Sequence, residues 1–422
     1  MKKYQITKLN NGLTLITEHR PGLNSVYLEL AVKVGSRYET SQNNGISHLT
    51  EHLLEKKAIS SLKKHDWLKH YFNENFNAYS MTDRTNYELT CHKKDLDLGV
   101  KFLAELTRPV SFSQKQINQE IEVISEELLE YKETPFYYLD QEFKKKYYQK
   151  NPLRFEILGR PSILKKFKPI DLENFIKKYY APDNLVVTVF GDISQTKIKQ
   201  LVSQYFKKSA KTIIDRNEIV NYKYPGDDLI LLNKQQSQTQ FSWHFPILNQ
   251  DAKTNVKWEF FVEILNNYLF YTSREKMFTY SFSTDIRTYQ EFFDFYIESV
   301  FRPDKTVEFY SFLNKALRDF KKTFSAKDLT YYKNKKTIIL EIDNDDKIKA
   351  ANILRWYAQH YGSANALSLL EQEKIINSIS LSEIKKYFTE LFSQNQGTVV
   401  IVGPINNKQK KTITNIWQNW KI

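Results

Sequence analysis

The sequence predicts an α+β fold, because short strand-like runs alternate with longer helical ones along the chain. SVYLELAVKV at 25–34 and QTQFSWHF at 238–245 read as strands. From Gly45 to about Lys57 the apolar residues recur at helical spacing. A second helical pattern at 114–131 opens after Ser113, a residue type that favours helix N-termini. This alternation indicates sheets with helices packed against them.

The second half of the chain repeats this plan. NLVVTVFGDI at 184–193 has a counterpart in GTVVIVGPI at 397–405, and the glycines that end the two runs lie 403 − 191 = 212 residues apart. The strand at 238–245 would then correspond to the strand at 25–34. A period of half the chain length predicts two similar domains. We expect an N-terminal domain over residues 1–208, a linker over 209–227 and a C-terminal domain over 228–422.

The positive charge of the chain is spread out. Lys and Arg number 62 against 49 Asp and Glu, a formal net charge of 62 − 49 = +13, and the lysines stand in short scattered steps. A nucleic-acid-binding protein is expected to concentrate such charge in a basic stripe. The composition therefore predicts no nucleic-acid partner.

Membrane-spanning and disulfide-rich classes are also excluded. No apolar run reaches the ~18–20 residues of a membrane span, and the N-terminal MKKYQITKLNNGLTLIT lacks the apolar stretch of a secretory signal. Cys91 is the single cysteine, so neither an internal disulfide nor a cysteine-based zinc cluster can form. We expect a soluble, cytoplasmic protein.

The segment HLTEH at 48–52 has the inverted H-x-x-E-H arrangement. Residues i and i+4 share a helical face, so His48 and His52 can bind one metal ion. Glu51 can then reach a metal-bound water without binding the metal. A catalytic zinc takes three protein ligands and a water, so a third ligand must come from elsewhere in the chain. The alternative that the pattern leaves open is a helix with two surface histidines.

Five motifs, in order, resemble the N-terminal domain of the M16 (pitrilysin-like) zinc peptidases. This family includes mitochondrial processing peptidase and the insulin-degrading enzymes. The resemblance covers the first half of the chain well and the second half weakly. Its motifs are ITKLNNGLTLITE at 6–18, VKVGSRYETSQNNGISHLTEHLLEK at 32–56, FNAYSMTDRTNYEL at 76–89, INQEIEVISEELLEYKETP at 117–135, and ILGRPSILKKF at 157–167 with IKKYYAPDNLVVTVFGDI at 176–193.

The resemblance implies the remaining residues of a zinc site. In the family the third ligand is a glutamate some seventy-odd residues after the second histidine, and another glutamate stands seven residues before it. Here Glu127 follows His52 by 75 positions, and Glu120 lies 127 − 120 = 7 earlier. Glu126 competes for the ligand role, but its helical face is rotated by about 100° from that of Glu127. We expect Glu127 as ligand, Glu120 as a carboxylate that orients a ligand, Glu51 as the catalytic base, and one Zn2+ per chain.

Phe76-Asn77-Ala78 matches the family's edge-strand motif. The resemblance implies that an extended peptide substrate adds to this strand through main-chain hydrogen bonds. It also implies that the Asn77 side chain helps to hold the substrate backbone near the scissile bond.

SREKMFTYSFS at 273–283 resembles a segment of the family's C-terminal domain. There an Arg and a Tyr bind substrate backbone and stabilise the tetrahedral intermediate. The corresponding candidates are Arg274 and Tyr280. Met277-Phe278 stands between them where the family usually has Gly-Leu.

Two departures leave the metal-site residues in place. The family commonly has an aromatic residue and then Lys-Gly-Thr after the second histidine, whereas this chain has EKKA at 55–58. This change predicts a different loop behind the metal helix. Thr50 stands where the family usually has Leu, a tolerable change on a partly buried helix.

The resemblance therefore implies a zinc-dependent endopeptidase that cuts peptides or unfolded segments. The chain has the length of the family's half-size members, which form a closed chamber from two subunits. Each chain would be half of this clamshell, with two similar domains that each have an antiparallel-rich sheet covered by helices. The partner would be a second copy or a related subunit. The alternative is a non-catalytic member that keeps the fold as a binding or assembly subunit, which the poorer match around Arg274 and Tyr280 favours.

Overall fold

The computed structural model describes residues 4–62, 66–134, 136–149, 151–207, 228–248, 251–276, 281–289, 292–393 and 397–419. These residues divide into two compact units. The first unit contains the described residues within 1–132, 150–221 and 346–355, and the second contains those within 133–149, 222–345 and 356–422. Each unit therefore includes a segment from the opposite half of the chain.

Strands and helices alternate through both halves, as the sequence predicts. The strands of the described residues are β1 Tyr4–Lys8, β2 Thr14–His19, β3 Ser25–Val32, β4 Phe76–Ser80, β5 Thr85–His92, β6 Leu185–Gly191, β7 Asp228–Asn233, β8 Thr239–Leu248, β9 Ser281–Thr288, β10 Phe292–Phe301 and β11 Thr398–Gly403. The α-helices are α1 Ile46–Ser61, α2 Asp66–Asn75, α3 Leu96–Glu105, α4 Gln114–Glu133, α5 Tyr137–Tyr147, α6 Pro161–Leu164, α7 Pro169–Tyr179, α8 Gln195–Tyr205, α9 Ala252–Glu275, α10 Thr306–Thr323, α11 Ala326–Asp345, α12 Lys347–Tyr361, α13 Leu369–Ser378, α14 Leu381–Ser393 and α15 Asn407–Gln418.

Each unit is built on one mixed, mainly antiparallel sheet, which confirms the predicted α+β class. The strand orders are β1-β2-β6-β3-β5-β4 in the first sheet and β7-β11-β8-β10-β9 in the second. In the first sheet β6 pairs parallel with β2 and antiparallel with β3. In the second sheet β11 pairs in the same way with β7 and β8. The predicted correspondences, of 184–193 with 397–405 and of 25–34 with 238–245, are thus confirmed.

One face of the first sheet holds the apolar core of its unit. Val26, Leu28, Leu30 and Val32 alternate along β3 and are fully buried, since alternate residues of a strand point to one face. They belong to one cluster with apolar residues of α1, α3 and α7. Cys91 lies in the same cluster, and burial raises the pKa of its thiol to about 12. This environment suits a packing role for Cys91 rather than a nucleophilic one.

The opposite face of each sheet carries buried polar residues that meet a helix of the other half of the chain. In the first unit, Glu29 on β3 is fully buried and its Oε2 lies 2.6 Å from Nε of Arg355 on α12. In the second unit, Nδ1 of His244 on β8 lies 3.1 Å from Oδ2 of Asp294. The ring of Phe143 on α5 stacks on the His244 imidazole with centroids 3.5 Å apart. In both sheets, therefore, a buried polar residue contacts a helix that comes from the other half of the chain.

The domain boundaries proposed from the sequence, 1–208 and 228–422, stay a prediction. The linker predicted at 209–227 lies outside the described residues. Among the helices that the structure describes, none has both the length and the apolar character needed to cross a membrane.

Candidate metal centre

Helix α1 carries the histidine pair and begins beside a buried carboxylate. Gly45, the residue before the helix, has no side chain to cap it, and Glu39 accepts the N–H of Gly45 at 2.7 Å and of Ser47 at 2.9 Å. Such N–H groups lack intrahelical partners and attract negative charge. Gly45 has a φ of 95°, and a Cβ on it would lie 2.8 Å from the Cα of Gly159. Only glycine fits this start of the helix.

Replacement of Glu39 by Ala is expected to lower the free energy of unfolding by about 1–3 kcal/mol, because it leaves buried N–H donors without an acceptor. Glu39→Gln retains one carbonyl acceptor and is expected to lose less. Urea unfolding of both variants measures the difference. Equal midpoints for Glu39→Ala and the wild type would contradict the capping role.

Three donor atoms converge between α1 and α4. Nε2 of His48 lies 3.3 Å from Nε2 of His52. Oxygens of the Glu127 carboxylate lie 3.7 Å from Nε2 of His48 and 3.6 Å from Nε2 of His52. One ligand atom from each residue falls within 4.8 Å of the others, so the group could hold a metal ion. The structure thus brings together the three residues that the sequence singles out.

The spacing of these atoms suits a zinc ion. Zinc in proteins is tetrahedral with bonds of about 2.0–2.2 Å to histidine nitrogens and carboxylate oxygens, which places neighbouring ligand atoms about 3.3–3.5 Å apart. The observed separations of 3.3, 3.6 and 3.7 Å are close to this value. Two histidines and a carboxylate also leave a fourth position for water, as catalytic zinc sites do.

Burial prepares His48 for metal binding. Its side chain is mostly enclosed, and this desolvation, with the nearby His52, lowers the pKa of the His48 imidazole to about 3. The ring is therefore neutral at ordinary pH. A neutral imidazole has the nitrogen lone pair that a metal requires.

Glu51 is buried next to the donor atoms and is not one of the three residues that could hold the metal. It is 3% exposed, and its Oε2 has no hydrogen-bond partner among the described residues. Burial raises the pKa of Glu51 to about 8, while the hydroxyl and backbone N–H of Ser80 beside it favour the ionised form. A neighbouring cation would favour that form further. A carboxyl group with these properties can take up and release a proton near neutral pH.

Glu120 lies behind the donor atoms, next to His52. Its side chain is 4% exposed, and Oε2 lies 3.5 Å from Nδ1 of His52. Its other oxygen accepts a hydrogen bond from Nζ of Lys56 at 2.5 Å. Lys56 was not among the residues predicted for the site, although its spacing of four residues from His52 places both on one face of α1.

The glutamates of α4 differ in their exposure to solvent. Glu120 is buried and Glu127 is partly exposed beside the histidines, whereas Glu122, Glu126 and Glu130 are exposed. The expectation of a different loop at residues 55–58 is wrong, because α1 continues to Ser61. The backbone of these residues stays helical, which is what carries Lys56 to Glu120.

Strand β4 is an edge of the first sheet and contains Phe76, Asn77 and Ala78. Phe76 is buried and stacks with Tyr87 at a centroid distance of 6.4 Å. Asn77 is exposed and Ala78 is half-buried. β5 is the one strand paired with β4 in the part of the chain that the structure describes. The free edge of β4 can accept an extended peptide. Ser80, the last residue of β4, lies within hydrogen-bonding distance of Glu51.

The other two predicted substrate-binding residues belong to the second half. Arg274 is exposed in the last turn of α9, with its guanidinium 5.5 Å from the ring centroid of Phe270. Tyr280 lies outside the described residues. Their proposed role in substrate binding stays a prediction.

Two family models match consecutive parts of the chain. Residues 14–160 match the model of a family described as insulinase (peptidase family M16), and residues 166–336 match the model described as the peptidase M16 inactive domain. His48, Glu51, His52 and Glu127 all fall within the first match.

Similar chains include proteins named as zinc proteases and peptidase subunits. A protein of Rickettsia felis named as an uncharacterized zinc protease is 26% identical over 413 residues, which span 96% of this chain and 98% of that protein. The probable mitochondrial-processing peptidase subunit beta of Schizosaccharomyces pombe is 30% identical over 207 residues, which span 49% of this chain and 45% of that protein. The match with this second relative thus covers less than half of its length.

A solved structure shares the fold over nearly the whole chain. The peptidase M16 inactive domain from Pseudomonas fluorescens superimposes with a TM-score of 0.82 at 16% identity, covering 96% of this chain and 98% of that one. At this identity the likeness concerns the fold alone.

Proposed function

Because the chain belongs to peptidase family M16, we propose that it is a zinc-dependent endopeptidase of the inverted H-x-x-E-H type. The observation that carries the proposal is the convergence of His48, His52 and Glu127 at tetrahedral spacing beside the buried Glu51. The donor set fits zinc, with one ion per chain held by these three residues. Similarity to proteins named as zinc proteases supports the same choice of metal.

In the proposed mechanism, different residues of the site have different roles in peptide hydrolysis. A zinc ion held by His48, His52 and Glu127 would supply Lewis-acid polarisation of the peptide carbonyl and activation of the attacking water. Glu51 takes the proton of the attacking water and returns it to the leaving amine. Burial supports this exchange by raising the pKa of Glu51. Glu120 orients His52, and no covalent intermediate with the protein is needed.

The substrate we propose is a peptide or an unfolded segment. A free strand edge binds extended backbone and offers nothing for a folded surface to match. Phe76, Asn77 and Ala78 would line this strand edge, and Arg274 and Tyr280 would contact the substrate from the second half. We further propose a closed dimeric chamber, formed with a second copy or a related subunit, since a similar protein is named as a subunit. We propose the cytoplasm as the compartment.

Two neighbouring glutamates of α4 provide the test of this function. We expect the wild type to bind one zinc and to cleave a fluorogenic peptide library until a chelator removes the metal. Glu127→Gln is expected to weaken zinc binding by at least the roughly 10–100-fold that loss of an outer partner causes. Glu126→Gln, on an exposed face, is the matched control and should behave as wild type. Equal zinc binding by both variants would overturn the proposed site.

A non-catalytic binding or assembly subunit is the second candidate. The description of the model that matches residues 166–336 as an inactive domain favours it. This candidate predicts that the wild type cleaves no peptide of the library, with zinc bound and with the partner subunit present. Chelator-sensitive cleavage by the wild type would exclude it.

A further inference from the structure

We propose that Lys56 is a positioning residue of the metal centre, which acts on His52 through the carboxylate of Glu120. The inference rests on the proposed zinc site and names a residue that holds its geometry. Lys56 touches neither the donor atoms nor the free strand edge among the described contacts; its hydrogen-bond partner is Glu120.

The three side chains form a continuous row. Nζ of Lys56 lies 2.5 Å from Oε1 of Glu120, and Oε2 of the same carboxylate lies 3.5 Å from Nδ1 of His52. The ring of His52 then presents Nε2 to Nε2 of His48 and to Glu127. Lys56 and His52 stand four residues apart on α1, so the helix itself fixes the distance between the two groups that Glu120 joins.

Lys56 matters for the position of Glu120 because the Glu120 carboxylate is buried. The Glu120 side chain is 4% exposed, whereas that of Lys56 is 62% exposed. A buried carboxylate needs a charged or hydrogen-bonding partner, while an exposed ammonium is well hydrated without one. Lys56 therefore holds the Glu120 carboxylate in its inward position, and the pair is not an ordinary surface ion pair.

The inward position of Glu120 determines which nitrogen of His52 is free. Oε2 of Glu120 has no hydrogen-bond partner among the described residues and points at Nδ1 of His52. A carboxylate there favours a proton on Nδ1, which leaves the lone pair on Nε2 for the metal. Without Lys56, the Glu120 side chain can turn away from His52, and this change releases the His52 ring.

Zinc affinity of the full-length protein tests this inference without reliance on peptidase activity. Titration against a chromophoric zinc chelator gives the dissociation constant. Lys56→Met is expected to weaken zinc binding about 10–100-fold, as loss of an outer-shell partner does. Lys56→Arg keeps the positive charge and is expected to restore most of the affinity. Lys57→Met is the matched control, because Lys57 donates to the carbonyls of Glu105 and Arg108 and has no contact with Glu120.

A double-mutant cycle separates positioning from a general loss of structure. If Lys56 acts through Glu120, adding Lys56→Met to Glu120→Gln causes little further loss of zinc affinity. Additive losses, wild-type affinity in Lys56→Met, or an equal loss in Lys57→Met would each overturn the inference. A wild type that binds no zinc would instead overturn the proposed function, and with it the site that Lys56 serves.

Discussion

Replacing Glu51 by Gln is expected to lower the rate of peptide cleavage by about 10²–10⁴-fold, the usual contribution of a general base. Gln has nearly the shape of Glu but cannot take a proton from water. Glu51 is buried beside Ser80 and is not among the three converging donors, so the zinc content should stay at the wild-type level. Steady-state cleavage of a fluorogenic peptide, with metal analysis of the same sample, measures both quantities.

The zinc content of Glu51→Gln is its internal control. A variant that keeps its zinc and loses cleavage separates the base from the ligands, whereas Glu127→Gln should lose both. If Glu51→Gln cleaved as fast as the wild type with zinc bound, Glu51 would not be the base. The proposed mechanism would then be wrong, although the assignment of the metal site would remain valid.

Replacing Arg355 by Met is expected to lower the free energy of unfolding by about 3–5 kcal/mol, the range for breaking one partner of a buried ion pair. Nε of Arg355 lies 2.6 Å from Oε2 of Glu29, and the two side chains are 3% and 0% exposed. The substitution leaves the Glu29 carboxylate buried without its cation. Chemical denaturation of the variant and the wild type gives the difference.

The pH dependence of this loss follows from the state of Glu29. Burial raises the pKa of Glu29 to about 7, although Arg355 acts to lower it. The folded protein therefore holds this proton more tightly than the unfolded chain, where the pKa is about 4.3. The resulting stabilisation is present below about pH 4.3 and is lost as the pH rises through about 7. Without Arg355 the pKa rises further, so the variant should lose less stability at about pH 5 than at about pH 8.

Two further variants check the cause of the loss. Arg302→Met removes an exposed arginine that pairs with Asp304 at 2.9 Å, and we expect a change of less than about 1 kcal/mol. Combining Arg355→Met with Glu29→Leu removes both charges and should recover much of the stability. A loss in Arg355→Met no greater than in Arg302→Met would contradict the account of a buried pair.

The repeat in the sequence predicted the sheets well. Strand alternation at 25–34 and 238–245, and the two strand-ending glycines 212 residues apart, led to the correct matching of β3 with β8 and of β6 with β11. Period-2 patterns are a direct consequence of burial on one sheet face, so they are readable locally. Periodicity also located α1, but ended it near Lys57 instead of Ser61.

Helical geometry made only part of the convergence of the donor atoms predictable. The i, i+4 spacing paired His48 with His52, and the seven-residue interval placed Glu120 and Glu127 on one face of α4. The interval of 75 residues to Glu127 came from family resemblance, since no local pattern specifies which distant helix approaches α1.

The residues that sequence reasoning missed make contacts across the fold. Ser80 lies at Glu51 although it belongs to β4, and Lys56 meets Glu120 from a position 64 residues earlier. Neither residue type is unusual at its place in the chain. Nor does helical periodicity in α5 or α12 indicate which sheet the helix will contact, because it records only that one face is apolar.

The contact of Arg355 with Glu29 and that of Phe143 with His244 have a practical consequence for work with fragments of the protein. A product that stopped at residue 208 would include Glu29 but lack the guanidinium that neutralises it. A product that started at residue 228 would include His244 but lack the ring of Phe143, which stacks on His244 with centroids 3.5 Å apart. Cutting the gene at its midpoint therefore yields two polypeptides that each need a piece of the other, and co-expression, not separate purification, is the route to either half.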